Sequence, residues 1–365
     1  MKSILMIITI ILIFFAIYFF GLYFSINKLY FYFNIKPLLN PLVISLVIFG
    51  LVFLSNFLQE KFSNYLTQGL YNGAYLLFAL ALMLVFVTVI LEGIKFIFKI
   101  NILNQTFGFI IIIVTLLLFI FSFINALSYN QKEIVIKSDK ILENTKIIHL
   151  SDIHLFGINS KHRFENVYKK AIKNNPDYIV ITGDLFDRPG KISLDTLEIT
   201  NKNNIPVIYA HGNHDLMYGK EKVLDILKDS KVINLDTDIY IDEQRNITFS
   251  GVRYDRANDF LKKELSKIEI DANNYNVLLY HEPIDIPVAS SKKIDLMLSG
   301  HTHGGQAFPI TLLVKAMYPY YRGLYEYQDM KIIVSQGTNF WGPKIRLGTR
   351  NEIITIKLEK IWMNI

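Results

Sequence analysis

The first 128 residues contain four long apolar runs, at residues 3–26, 41–58, 74–98 and 107–127. Each is close to or above the roughly 20 residues that a helix needs to cross about 30 Å of hydrocarbon. The runs have no polar face, which disfavours helices buried in a soluble core. The pattern predicts an N-terminal transmembrane helical domain of four spans, residues 1–128, with membrane lipids as its partners.

The first run has a second interpretation, as a cleaved signal peptide with Lys2 as its charged end. Its apolar stretch is too long and no small-x-small cleavage site follows it, so a membrane span is favoured. Lysines in the short loops decide orientation. Their balance narrowly favours a cytoplasmic over an extracytoplasmic C-terminal domain: Lys2, Lys61, Lys132, Lys137 and Lys140 against Lys28, Lys36, Lys95 and Lys99.

The pattern of hydrophobic and polar residues changes after Leu127, where short apolar runs end abruptly in Asp, His, Gly or Asn. Runs of this kind predict buried strands; they are KIIHL, DYIVI, PVIYA, NVLLY, DLMLS and KIIVS. Helical patterns separate several of them, at 164–174, 194–203 and 221–228. The alternation predicts a layered α/β domain over residues 145–365, with 129–144 as a linker and first strand.

Polar residues collect directly after five of these strands. In layered α/β sheets functional groups gather beyond the carboxyl ends of strands, where loops converge on one crevice. The residues are Asp152, His154, Asp184, Asp187, Asn213, His214, Asp215, His281, His301 and His303. Carboxylate, imidazole and amide donors without sulfur fit manganese, iron or zinc better than calcium or magnesium. So many ligands predict a binuclear centre with one bridging Asp.

Each of these residues taken singly has a plainer interpretation, as a turn residue, a helix cap or a satisfied polar side chain. Their combination in five ordered motifs favours the metal centre. Of the remaining histidines, His149 is predicted to be a strand residue, His162 a surface residue, and His211 at most a support behind the ligands.

The motifs D-x-H at Asp152, G-D-x-x-D at Gly183, G-N-H-D at Gly212, an isolated His281 and G-H-x-H at Gly300 resemble the calcineurin-like metallophosphoesterases. The resemblance covers about residues 145–360. It implies a four-layer sandwich, two mixed β-sheets flanked by helices, and phosphoesterase activity. The string LSGHTHGGQ and the later YRGLYE and WGPKIRLGTRNEI are similar to the membrane-associated YaeI and YkuE type branch.

The resemblance also implies roles. Asp152, His154 and His303 would hold one ion, Asn213, His281 and His301 the other, and Asp184 would bridge them. His214 would act beside the scissile phosphate, with Asp215 fixing its tautomer and Asp187 behind the ligands. Two cations neutralise a phosphodiester and lower the pKa of a bridging water, so that hydroxide attacks phosphorus in line.

The branch implies phosphodiester or pyrophosphate substrates at the envelope, with UDP-diacylglucosamine in some members, so a phosphorylated small molecule or lipid is the expected partner. Gly304 and Gly305 would let the backbone approach a ligand, and Arg346 would contact phosphate; surface turns and a solvated cation are the alternative. With no cysteine, thiolate ligands, a Cys nucleophile and disulfides are excluded.

The distribution of charge along the chain distinguishes between the competing functions. The formal net charge is +6, of which +4 belongs to residues 1–128 and only +2 to the rest. A nuclease or cyclic-nucleotide phosphodiesterase with the same metal core is therefore disfavoured, because the C-terminal part lacks a basic, aromatic-lined stripe. No nucleic-acid partner is expected. A non-catalytic membrane scaffold or sensor is the alternative from another class, and the intact ligand set argues against it.

Overall fold

The computed structural model describes residues 2–361, without the side chains of residues 2–8, 10, 11 and 14. Contacts divide the chain into two compact units. The first comprises Met1–Ile124 with Gly342–Ile345, and the second comprises Asn125–Trp341 with Arg346–Ile365. A helical N-terminal part is thus followed by an α/β part, as the change in hydropathy predicts.

The helical part contains α1 (Lys2–Phe33), α2 (Pro41–Phe62), α3 (Tyr65–Ile97) and α4 (Asn104–Leu127). Among the described residues, three helices are long and apolar enough to cross a membrane, namely α2, α3 and α4. The predicted count of four spans is therefore not confirmed: the run at 3–26 lies in α1, several of whose side chains fall outside the described residues. Membrane orientation stays a prediction.

The ends of these helices follow local chemistry. Asn40 accepts a hydrogen bond from the backbone N–H of Leu42, and Pro41 occupies the first turn of α2, where its missing N–H costs nothing. Asn64 and Thr67 form a reciprocal capping box at the start of α3. This cap explains why α3 begins nine residues before the apolar run that predicted it.

The second unit is built on two six-stranded sheets. Its strands are β1 (Tyr129–Ser138), β2 (Thr145–Leu150), β3 (Tyr178–Thr182), β4 (Val207–Ala210), β5 (Val232–Asn234), β6 (Asp238–Asp242), β7 (Ile247–Val252), β8 (Tyr275–Tyr280), β9 (Leu296–Ser299), β10 (Gly323–Tyr327), β11 (Met330–Val334) and β12 (Asn351–Lys360). The first sheet has the order β1-β12-β2-β3-β4-β5, and the second β10-β11-β9-β8-β7-β6.

Both sheets are mixed. In the first, β2, β3, β4 and β5 are parallel and β12 is antiparallel to β2. In the second, β7, β8, β9 and β11 are parallel, with antiparallel neighbours at both edges. Apart from β5 at the edge of the first sheet, these parallel strands are buried on both faces, which is why most of them appear in the sequence as continuous apolar runs.

The helices of this unit are α5 (Ser160–Ile172), α6 (Asn213–Tyr218), α7 (Lys220–Leu227), α8 (Phe260–Leu265), α9 (Ile286–Ser291) and α10 (Ile310–Met317), and 3₁₀ helices cover Leu194–Lys202 and two shorter turns. One apolar cluster lies between the sheets, and one covers the outer face of each. The predicted four-layer sandwich of two mixed sheets flanked by helices is confirmed.

Candidate metal centre

Five strands from both sheets end at the candidate site. Asp152 and His154 follow β2, Asp184 follows β3, and Asn213 follows β4. From the second sheet, His281 follows β8, while His301 and His303 follow β9. Parallel strands present their carboxyl ends at the same sheet edge, so side chains that are far apart in sequence meet there.

The first cluster consists of Asp152, His154 and His303. The Nε2 atoms of His154 and His303 lie 3.0 Å apart, and Asp152 Oδ1 lies 3.3 Å from His303 Nε2. All three side chains are buried. Three ligand atoms of the type that bind transition metals therefore converge on one point.

The second cluster consists of Asp184, Asn213, His281 and His301. Asn213 Oδ1 lies 3.1 Å from His281 Nε2 and 2.9 Å from His301 Nδ1. Asp184 Oδ2 lies 3.1 Å from His281 Nε2. The same carboxylate oxygen lies 3.9 Å from His154 Nε2 in the first cluster. Asp184 is thus the group that the two clusters share.

The outer nitrogens of two of these histidines show which ring atom faces the cluster. His154 Nδ1 lies 2.9 Å from Asp187 Oδ2, and His281 Nδ1 lies 2.7 Å from the carbonyl oxygen of Thr182. Because both partners only accept, each Nδ1 carries a proton and each Nε2 is the nitrogen that is available to an ion. Imidazole nitrogens, carboxylate oxygens and an amide oxygen that converge in this way are ligands of divalent transition metals, so the donor set suits two such ions.

The charges at the site also favour bound cations. Burial by itself lowers the pKa of His281, but the carboxylates of Asp184 and Asp152 outweigh it and raise that pKa to about 10. Burial raises the pKa of Asp184, yet the neighbouring His281 and His154 pull it below its usual range. The negative charge that favours a proton on His281 also favours a cation in its place.

The backbone at the ligands is unusual. Five of the seven candidate ligands have left-handed φ angles, between 48° and 68°: Asp152, His154, Asp184, His301 and His303. Residues other than glycine seldom adopt this region, and when they cluster there the site is usually functional. The surrounding fold therefore fixes the directions of these side chains.

Motif glycines make room for ligands of neighbouring motifs. A Cβ atom on Gly212 would lie 2.2 Å from Asp184 Oδ1, and one on Gly300 would lie 2.3 Å from Asp152 Oδ2. Real Cβ atoms do not approach other atoms so closely. The glycines of G-N-H-D and G-H-x-H are thus required by the close approach of two loops.

His214 lies beside the clusters and is oriented by Asp187. Its Nδ1 is 2.7 Å from Asp187 Oδ1, while the other oxygen of Asp187 contacts His154. Burial opposes protonation of His214, but the bond to Asp187 and the charge of Asp184 raise its pKa. The sequence-based assignment of Asp215 as the partner that fixes the tautomer of His214 was wrong, because Asp187 occupies that position.

Asp215 instead ties two loops together. Its carboxylate accepts hydrogen bonds from the backbone N–H groups of Asp184, Phe186 and Gly212, at 2.7–2.8 Å. Burial and the charge of Asp184 raise its pKa to about 7. The group therefore holds the loop that carries Asp184 against the start of α6.

Replacing Asp215 by alanine is expected to lower stability, since it leaves three buried N–H groups unpaired. At about 1 kcal/mol or more for each, the loss is roughly 3 kcal/mol, or roughly 6–12 °C in the melting temperature of a domain of this size. Thermal unfolding in detergent measures it. Asp225→Ala, at an exposed position on α7, is the control, and equal melting temperatures for the two variants would contradict this role.

The three residues that were predicted to contact substrate are buried. Arg346 is fully buried and donates to the carbonyl oxygens of His303 and Asn339, so it does not reach a substrate in the cleft. Gly304 and Gly305 are also buried and form the turn after His303, with a Cβ on Gly305 only 2.5 Å from Thr311 Cα. The expected phosphate contact of Arg346 was therefore wrong, and so was the alternative of a solvated cation. The close approach of a ligand to Gly304 and Gly305 stays a prediction.

The remaining histidines lie outside the clusters. His149 is buried in β2, 2.8 Å from Thr182 Oγ1, and His162 is an exposed neighbour of Asn166. His211 is buried beside Tyr209 and contacts none of the candidate ligands through its ring. Burial lowers the pKa of His211 to about 4, so it is a neutral core residue.

Three residues near the site were not among the predicted site residues. Tyr254 stacks on His301 at 5.9 Å, and Trp341 lies 5.7 Å from His214 with 54% of its surface exposed. Glu282 follows His281 directly and lies 3.7 Å from His301 Nε2. Only Glu282 had a local signal in the sequence, because it is an acidic residue directly after a predicted ligand at the end of a buried strand.

Comparison with known proteins agrees with this geometry. Residues 145–305 match the family model described as calcineurin-like phosphoesterase. An uncharacterized metallophosphoesterase of Campylobacter jejuni is 30% identical over 342 residues, which is 86% of this chain and 89% of that one. A Helicobacter pylori metallophosphoesterase is 33% identical, covering 62% and 63%.

A Danio rerio transmembrane protein with metallophosphoesterase domain is 27% identical over 68% of this chain and 62% of its own length. The chain therefore belongs to the calcineurin-like metallophosphoesterases. More particularly, it is a metal-dependent phosphoesterase whose catalytic domain follows helices long and apolar enough to cross a membrane.

Proposed function

We propose that the protein hydrolyses phosphodiester or pyrophosphate bonds at a centre of two divalent cations. The observation that carries the proposal is the sharing of Asp184 between two clusters of ligand atoms. A single ion has no use for seven such ligands, whereas two neighbouring ions with one common carboxylate use all of them. Nitrogen and oxygen donors together favour manganese, with iron or zinc as the alternatives.

In this proposal Asp152, His154 and His303 would hold one ion, and Asn213, His281 and His301 would hold the other. Asp184 would be the ligand that serves both. When bound, the two ions supply a hydrolytic nucleophile at neutral pH and neutralise charge on the phosphoryl group. Asn213 contributes a neutral oxygen, which leaves its ion a stronger electrophile than a further carboxylate would.

His214 delivers a proton to the oxygen of the leaving group. Its Nδ1 proton is held by Asp187, which leaves Nε2 as the atom that exchanges a proton with the substrate. Asp187 supports the positive charge of the ring, in agreement with the raised pKa of His214. Arg346 and Asp215 act on position alone, behind His303 and behind the Asp184 loop.

The surroundings of His214 support our proposal for the substrate class. An exposed indole, Trp341, beside the proton donor offers an aromatic or apolar face to a leaving group. Candidate membrane spans in the same chain put the enzyme where amphiphilic phosphoesters are concentrated. We therefore favour a lipid-linked or nucleotide-linked phosphoester, such as UDP-diacylglucosamine.

The purified protein in detergent is expected to hydrolyse bis-p-nitrophenyl phosphate when manganese is present, because both clusters need their cations to act. A chelator should abolish turnover, and added manganese should restore it. The same preparation is then assayed with UDP-diacylglucosamine. Turnover that survives complete metal removal would contradict the proposed function, and activity on the first compound alone would contradict only the substrate.

A further inference from the structure

We propose that Glu282 is a positioning residue for His301, and through it for the cation that His301 shares with Asn213 and His281. The inference rests on the proposed function in one respect, that these side chains hold an ion. It adds a residue that lies in none of the five motifs and that donates no ligand atom itself.

The geometry around His301 assigns different tasks to its two nitrogens. Nδ1 faces the cluster, 2.9 Å from Asn213 Oδ1 and 3.2 Å from His281 Nε2. Nε2 lies on the other side of the ring, with Glu282 Oε1 at 3.7 Å, which is beyond direct hydrogen-bond distance. A carboxylate on the outer side favours the tautomer with the proton on Nε2, which leaves the Nδ1 lone pair for the ion.

Glu282 is itself held in place. Its side chain is buried, and Arg256 donates to both carboxylate oxygens, at 2.8 and 3.2 Å. The hydroxyl of Tyr318 donates to Oε1 at 2.7 Å. A buried carboxylate with a bidentate guanidinium and a phenol has one defined position, so it provides a fixed reference for the ring of His301.

The face of the same ring is fixed independently. Tyr254 stacks on His301, with ring centroids 5.9 Å apart and planes inclined by 27°. Stacking restricts the plane of the imidazole but permits a half-turn about the Cβ–Cγ bond, which would put ring carbons in the places of both nitrogens. Glu282 removes that freedom, because only one orientation places an N–H toward the carboxylate.

The first cluster is arranged in the same way. Asp187 accepts from the outer nitrogen of His154, as a carboxylate behind a ligand. Glu282 is thus the counterpart, in the second cluster, of a contact that exists in the first. Loss of such a contact typically weakens metal binding about 10–100-fold.

The experiment titrates metal-free Glu282→Gln with manganese and follows free ion and the spin-coupled signal of a manganese pair by electron paramagnetic resonance. We expect the second ion to bind about 10–100-fold more weakly than in the wild type, while the first ion binds normally. In activity assays, the manganese concentration for half-activation should rise more than kcat falls.

Glu264→Gln is the matched control. Glu264 is also buried and paired, with Lys267 and Thr237, and it contacts no candidate ligand. The control should bind both ions as the wild type does. Tyr318→Phe, which removes one donor to Glu282, should also weaken binding of the second ion, by a smaller factor. This variant replaces Glu282→Gln in the experiment if Glu282→Gln does not fold.

The outcomes separate the two proposals. If the wild type binds two ions and Glu282→Gln binds both with unchanged affinity, the positioning role is wrong and the proposed function stands. If Glu282→Gln and Glu264→Gln weaken both ions alike, the effect is structural and the positioning role is again wrong. If the wild type binds no manganese pair, both proposals fail.

Discussion

Asp184→Asn is expected to lower phosphodiester hydrolysis by roughly 10³-fold or more, which corresponds to about 4 kcal/mol or more of transition-state stabilisation. Among the described residues, Asp184 is the only candidate ligand whose carboxylate lies within 4 Å of histidine ring nitrogens of both clusters. An amide keeps the shape of the side chain but loses the charge that draws two cations together. Metal analysis of the purified variant should show fewer than two ions per chain.

The control for this change is Asp225→Asn on the exposed face of α7. It alters net charge equally and should leave metal content and turnover as in the wild type. Melting temperature distinguishes a failed site from a failed fold. Retention of two ions and full activity in Asp184→Asn would refute the shared-ligand assignment.

His214→Gln is expected to lower kcat about 10²–10⁴-fold, the range for loss of a general acid, while metal content stays at the wild-type level. His214 contacts Asp187 and lies beside the clusters, and the proposed mechanism gives it the proton for the leaving group. The loss should be largest for poor leaving groups such as alkoxides. It should shrink for p-nitrophenolate, which departs without a proton.

A pH profile provides the second test of His214. The pKa of this group is raised by Asp187, so the protonated form persists to higher pH than in a free histidine. Activity of the wild type should fall as pH rises through that pKa, and His214→Gln should lack this alkaline decline. His162→Gln at the surface is the control. Identical profiles for wild type and His214→Gln would exclude the proton-donor role.

Strand positions and candidate ligands were accessible from sequence for one physical reason. Parallel strands buried on both faces must be apolar throughout, so their ends are visible where polar residues begin. KIIHL, DYIVI and NVLLY are observed as β2, β3 and β8, and the ligands follow them directly. Of the strands that were not predicted, β6 and β10 lie at sheet edges and carry mixed residues, whereas β7 and β12 lie inside their sheets.

Contacts between residues that are far apart in the chain could not be predicted from the sequence. Asp215 directly follows His214 in sequence, whereas Asp187 lies 27 residues away, so the immediate neighbour was the natural assignment. In the structure Asp215 is occupied by three backbone N–H groups, so Asp187 is the acid left to face His214. Such choices depend on which donors the loops bring together, which sequence spacing does not contain.

Arg346 shows the same limit for charged residues. An arginine in a glycine-containing C-terminal segment was expected to face solvent or phosphate, yet it is buried. Backbone carbonyl oxygens of His303 and Asn339 and the side chain of Asn351 accept its protons and offset the cost of burial. Those acceptors come from segments whose proximity only the tertiary structure reveals.

The tight contacts at Gly183, Gly212 and Gly300 bear on how such a site can change over time. A Cβ on Gly183 would lie 2.6 Å from His281 Nδ1, so each glycine of one loop abuts a ligand that another loop supplies. The loops therefore pack against one another with no space for a larger side chain at these glycines. An altered donor set therefore requires coordinated replacements in two loops, which makes gradual drift toward a different metal preference difficult.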